Sequence, residues 1–218
     1  MEPAARSPAN SDVTPVLQAG VLVMIAGYAD AIGFLQYDAF AGQMTGNTIL
    51  LAISIFHQSW ADTGYYVAVI VSFLFGVLLA GGLVRFGHAP ALPLSIAAVA
   101  VAICAFIEAR WGASLLALAM GLQNAAATRF GDEKLNTVFI TGDLQRLFEA
   151  IIARLWPKPE APPPVVRSLA LVWFEYFGGA LIGVLAHITV PHALLIPAAI
   201  LPFILFGSWR SGRATSAQ

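Results

Sequence analysis

Charge is the scarcest commodity in this 218-residue sequence: Asp, Glu, Lys and Arg make up 11% of it, while 59% is hydrophobic. Soluble globular chains carry about 25% charged residues, so the balance excludes a soluble domain as the main body. Eleven Lys and Arg against twelve Asp and Glu leave a net charge of −1. They form no basic stripe, which excludes nucleic acid as a partner. The single cysteine, Cys104, excludes an internal disulfide and any Cys-based metal knuckle. His-x-x-x-His spacing is absent, and Ser54, Ser72 and Ser95 lie in no Gly-x-Ser-x-Gly elbow. No metal site, no cofactor and no enzyme activity are therefore expected.

What is present is apolar sequence in long runs. Spanning the hydrocarbon takes about 20 apolar residues in a helix. Six stretches come close: Val16 to Gln36, Tyr65 to Phe86, Leu92 to Glu108, Ser114 to Thr128, Ser168 to Ile188 and Ala193 to Trp209. Two shorter segments, Gly46 to His57 and Gly142 to Trp156, follow extended-looking stretches. Non-helical backbone is tolerated at membrane depth only inside protein or along a wet cavity. If neither short segment crosses and the N-terminus is cytoplasmic, ten of the eleven Lys and Arg fall inside and only Arg110 outside. If both cross, the split is eight to three. The positive-inside rule favours the first arrangement, with both termini cytoplasmic. Trp60, Tyr65, Tyr66 and Trp111 then belong to an outer aromatic belt, Trp156 and Trp209 to an inner one. Residues 1–15 and 210–218 read as polar tails, the first of them disordered, and KPEAPPP begins a stiff cytoplasmic linker over residues 158–167.

The chain also matches itself at a shift of roughly 95 to 100 residues. Gly27-Tyr28-Ala29-Asp30 corresponds to Gly121-Leu122-Gln123-Asn124, Met44-Thr45-Gly46-Asn47 to Ile140-Thr141-Gly142-Asp143, and Phe75-Gly76 to Phe177-Gly178. The expected fold is thus an all-α polytopic bundle of about six transmembrane helices in two repeats, residues 16–110 and 111–209. Three crossings per repeat force the second to enter from the opposite side. Inverted repeats with broken helices recur in secondary transporters.

In each short segment Thr45 or Thr141 is suited to cap a helix start, and Gly46 or Gly142 lets the backbone turn. The amides exposed there suit an anion or carbonyl. The other reading is a cap and turn closing a re-entrant loop. Asp143 replaces Asn47 in the second copy, and the alternation around Arg146, Glu149 and Arg154 suits an interfacial helix.

The segments GYADAIGFL, FAGQMTGNTILLA, MGLQNAAATRFG and TVFITGDL together resemble the YoaK family of multi-pass bacterial membrane proteins, a domain of unknown function. The likeness runs from about Gly27 to Gly207, and its paired Thr-Gly motifs are the most specific part. Asp143 departs from the small polar residue expected in the second copy. The resemblance implies a bacterial inner-membrane protein of six or so helices, and no substrate.

Asp30 lies about 14 residues into the first helix, roughly 21 Å deep at 1.5 Å per residue. A charge there should face the protein interior. It reads either as a proton acceptor or substrate ligand, or as a packing hydrogen bond to the Thr-Gly-Asn loop. Asn124, beside Gln123, is its repeat partner and could share a polar patch with it. Glu175, whose repeat partner is Phe73, is a second proton-coupling candidate. Glu108 and Arg110 suggest a solvated pair. Gly76, Gly81, Gly82, Gly178, Gly179 and Gly183 suggest close helix packing. The leading expectation is a small secondary transporter for a small polar or anionic metabolite, coupled to protons, with its site among Asp30, Gln43, Thr45, Gly46, Asn47, Gln123, Asn124, Thr141 and Gly142. The rival is a non-transporting scaffold or regulatory subunit. A chain this small barely encloses a pathway, which points to a homodimer in the lipid bilayer.

Overall fold

The computed structural model describes residues 13–126, 140–156 and 166–202, and all of its regular structure there is helical. The helices are α1 (Val13–Tyr37), α2 (Met44–Phe56), α3 (Trp60–Arg85), α4 (Ala91–Cys104), α5 (Gly112–Ala126), α6 (Ile140–Leu155) and α7 (Val166–Thr189). An eighth, α8, covers residues 195–202 and reaches the edge of the described chain. Residues 1–12, the C-terminal tail, most of the 158–167 linker, Arg129, Lys134 and Trp209 lie outside the described residues, whereas Val13, Thr14 and Pro15, expected in the disordered tail, begin α1.

Among the described residues, three helices are long and apolar enough to cross a bilayer: Leu17–Tyr37, Trp60–Arg85 and Leu169–Thr189. α4 is shorter than expected, at 14 residues. At and just past its end at Cys104, side chains meet the backbone carbonyls. The Tyr37 hydroxyl lies 3.1 Å from the Cys104 carbonyl and 2.7 Å from that of Ile107, and His192 Nδ1 lies 2.7 Å from the Ala105 carbonyl. Those bonds replace the partners that another helical turn would supply.

The long helices pair in parallel. Along α1 and α7, Gly20 faces Glu175, Met24 faces Gly179 and Tyr28 faces Gly183, so the numbers rise together. Along α3 and α5, the Arg110 guanidinium ahead of α5 lies over the Tyr65 ring at 4.1 Å, and further on Gly76 and Gly121 meet backbone to backbone. A Cβ at Gly27, Gly76, Gly121 or Gly179 would overlap main-chain atoms of the facing helix. Gly76, Gly179 and Gly183 therefore do the close packing expected of them. Gly81, Gly82 and Gly178 do not, since nothing lies within 4 Å of a Cβ there. α1 is largely enclosed, and its Leu22 and Ile32 join Leu116 and Met120 of α5 in the core. α3 and α7 turn Val71, Leu78, Phe174 and Ile188 outward, an apolar surface suited to lipid.

Segment 38–59 carries α2 and leaves the bundle at the end where it entered. At that end Tyr65 donates to the Tyr37 carbonyl, Tyr66 donates to the Asp38 carbonyl at 3.3 Å, and Gly112 sits against the Tyr37 ring. Left-handed backbone at Asp38 (φ 59°) and Gln58 (φ 55°) makes the two reversals. Tyr66 is buried and Tyr65 half-buried, so both fasten helices, whereas Trp60 and Trp111 are exposed as belt residues would be. α6 differs from α2 in its charged face. It rests half-buried Leu144, Leu147 and Ile151 toward the protein and exposes Phe148, Ile152 and Leu155.

Candidate functional site

The best-defined polar constellation is built around Asp30, which is 3% exposed. Its Oδ1 accepts from the Gly42 amide at 2.6 Å and the Gln43 amide at 3.3 Å, and its Oδ2 accepts from the Tyr176 hydroxyl at 2.8 Å. Gln43 Nε2 donates to the same hydroxyl at 3.1 Å. One carboxylate thus ties α1 to the extended stretch before α2 and to α7.

Local sequence explains why the carboxylate is needed. α2 starts at Met44 with Gln43 as its N-cap and no side-chain capping bond. Thr45 is not the cap; it is exposed one residue inside the helix. The positive end of a helix attracts an anion, and Asp30 lies there, bonded to the amide of the N-cap residue Gln43 and to that of Gly42 before it. Asn47 is fully buried and pairs with Phe40 on both sides, Oδ1 accepting from its amide at 2.9 Å and Nδ2 donating to its carbonyl at 2.7 Å. That reciprocal pairing imitates a strand partner. Gly46 makes room for it, because a Cβ there would stand 2.8 Å from the Phe40 ring, itself stacked on Phe34 at 4.8 Å.

The other candidates are not gathered here. Gln123 is fully buried and donates to the Leu22 carbonyl at 2.9 Å, while its Oε1 has no partner among the described residues. Leu22 precedes Asp30 by two turns, about 12 Å along the helix, so the polar patch imagined between Asp30 and Gln123-Asn124 does not form. Asn124 is half-buried near the end of α5. Glu175 is half-buried with its carboxyl against Gly20, nearer the start of α1. Gly142 is exposed in the first turn of α6 with open space around it, and the Thr141 side chain lies outside the described residues.

One ionic expectation changes as well. Arg110 pairs with Asp62 in the first turn of α3, at 2.7 Å, and not with Glu108. Asp62 also accepts from Ser59 at 2.6 Å, so the better-oriented carboxylate wins the guanidinium. His187 and His192 line a single cavity at one end of the bundle.

Sequence reasoning missed Tyr176 and Phe40. A signal for the first was available, because a tyrosine hydroxyl in an apolar helix needs a partner, and Asp30 was the unsatisfied acceptor in that stretch. Phe40 acts through its backbone and leaves no such trace.

The family described as a protein of unknown function, DUF1275, matches residues 18–207. The chain is 28% identical over 201 residues to the UPF0700 transmembrane protein YoaK of Bacillus subtilis (strain 168), covering 84% of this chain and 88% of that one. No solved structure matches significantly. A match over nearly all of the helical chain, with the transmembrane character of the relative and the apolar helices found here, establishes that this chain is a membrane protein belonging to the DUF1275 family.

Proposed function

We propose that this protein is a small secondary transporter of the bacterial inner membrane, with Asp30 as its proton-responsive element. The observation that carries the reading is the bridging carboxylate, which joins α1 and the α2 entry from the first half to α7 of the second. Ionised, Asp30 accepts every bond around it. With a proton, one oxygen turns donor toward neighbours that are themselves donors, so the bridge must rearrange. Tyr176 is the neighbour able to turn, since its oxygen already accepts from Gln43.

An inverted repeat of six crossings fits the packing. Exchanging α1 with α5 and α3 with α7 maps one parallel pair onto the other, Gly27 against Tyr176 and Ala180 answering Gly121 against Phe73 and Val77. On that correspondence Gly76 matches Gly179, one residue beyond the Phe75-Gly76 to Phe177-Gly178 alignment, and Tyr176 takes the place of Phe73. Both termini are cytoplasmic, as the cation distribution favours. The solute is neutral or cationic, because the positive end of α2 already holds an anion.

A second reading, a non-transporting scaffold, draws on the same network, in which Asp30 and Asn47 have partners within the chain. Proteoliposome uptake of a metabolite panel, with and without a proton gradient, separates the two. The transporter reading expects gradient-driven uptake of at least one solute by the wild type. It expects exchange without gradient response from Asp30→Asn. Absence of any uptake, with wild type, Asp30→Asn and Asn47→Ala all folded, would leave the scaffold.

A further inference from the structure

We propose a second binding site, for a primary ammonium ion on a short aliphatic chain, in the cavity at the end of the bundle where α1, α4 and α7 finish. The cavity measures about 520 Å³ and is lined by Gln36, Phe106, Glu108, His187, Pro191 and His192 among others. Gln36 belongs to the last turn of α1, Ala105 and Phe106 follow α4 directly, and His187 belongs to the last turn of α7.

Its polar chemistry is set by bonds already made. His192 Nδ1 sits 2.7 Å from the Ala105 carbonyl, which can only accept, so Nδ1 carries the hydrogen. In the neutral ring Nε2 is then an acceptor. Gln36 spends its Nε2 on the Ile107 carbonyl at 2.9 Å and the Tyr37 hydroxyl at 3.1 Å, which leaves Oε1 as its accepting atom. Among the described residues Glu108 is the one carboxylate of the lining, and no Lys or Arg lines it. The nearby cation in sequence, Arg110, is engaged by Asp62. A carboxylate, an imidazole nitrogen and an amide oxygen together call for a ligand that donates hydrogen bonds and carries positive charge.

Two further features point the same way. Three helix C-termini converge on the cavity, and each contributes a partial negative charge of about half a unit at its end. The Phe106 ring, held at 4.7 Å from the His192 ring, offers an aromatic face to a cation. Phe106, Val190 and Pro191 supply apolar wall for an alkyl chain. A bare metal ion fits less well, since no group of three His, Cys, Asp or Glu among the described residues is placed to hold one. His192, which lines the cavity, has left-handed backbone (φ 53°), a conformation few non-glycine residues adopt.

This site is separate from the Asp30 network, and equilibrium binding reads it out whether or not the protein transports. Isothermal titration of the purified chain with butylammonium at about pH 8 should show saturable binding. Glu108→Gln, an exposed position, should weaken it at least about tenfold, the loss of one ionic hydrogen bond, with an unchanged melting temperature. His192→Phe should weaken it less, and Asp30→Asn should leave it intact. Butyrate and zinc ion serve as comparison probes. No saturable butylammonium binding, equal binding by Glu108→Gln, or tighter binding of butyrate or zinc would overturn the proposal. Loss of gradient-driven uptake in Asp30→Asn with ammonium binding retained would mark the two sites as independent.

Discussion

Adjacent glycines on α7 should respond to alanine with opposite signs. At Gly179 an added Cβ would overlap the Met24 carbonyl oxygen and stand 2.7 Å from its carbon and 2.8 Å from its Cα. All three are main-chain atoms of a helix, so no rotamer change relieves them. α1 and α7 would have to separate, loosening the Gly27 and Gly183 approaches and straining the 2.7 Å bond from the Tyr28 hydroxyl to the Ala193 carbonyl. Overpacking of this kind costs about 1–3 kcal/mol. At Gly178 nothing lies within 4 Å of the added carbon, and replacing a mid-helix glycine by alanine gains roughly 0.5–1 kcal/mol. At roughly 2–4 °C per kcal/mol for a chain of this size, thermal unfolding in detergent should fall by several degrees for Gly179→Ala and hold or rise for Gly178→Ala. Gly76→Ala on α3, against the Leu118 backbone, should match the loss at Gly179. Equal responses at 178 and 179, or an inert Gly76→Ala, would refute the packing register and the exchange symmetry built on it.

Asn47→Ala strips the Phe40 amide and carbonyl of their partners and should cost about 2–4 kcal/mol in the same thermal assay, the penalty for two unsatisfied groups. Tyr37→Phe removes the hydroxyl that reaches the Cys104 and Ile107 carbonyls, with an expected loss of about 1–2 kcal/mol. Arg110→Ala breaks an ion pair whose side chains are 46% and 37% exposed, so its effect should stay below about 1 kcal/mol. Cysteines introduced at Trp60 and Asp132 in a Cys104→Ala background should label from opposite sides of the membrane; labelling from one side would contradict the six-crossing topology.

Much of the fold was legible because hydrophobic runs and glycine spacing are local signals. The eight helices of the described residues begin near their expected stretches, and α6 shows the amphipathic face that Arg146, Glu149 and Arg154 announce. Gly178 and Gly179 show where that reading fails, since both were expected to pack closely and only Gly179 meets α1. Both are glycines in one apolar helix, and only the facing helix decides which of them it touches. Thr45 was misassigned as a cap for a related reason. Sequence proximity favours a neighbouring hydroxyl, but the amides at the α2 start are reached by a carboxylate thirteen residues back from Gln43. Asp30 itself was visible, as any intramembrane charge is. Its partner Tyr176, 146 positions away, belongs to a different half and becomes visible only once α1 and α7 are known to run side by side.

Hydrogen exchange at the Gly42 and Gln43 amides tests the central claim, that Asp30 fastens the α2 entry to the rest of the bundle. Both amides end on the same carboxylate oxygen. Losing a charge-assisted bond of about 1.5–3 kcal/mol should speed their exchange roughly 10- to 100-fold in Asp30→Ala relative to wild type at the same pH, with a smaller increase in Tyr176→Phe. Unchanged protection of residues 38–46 in Asp30→Ala would contradict it.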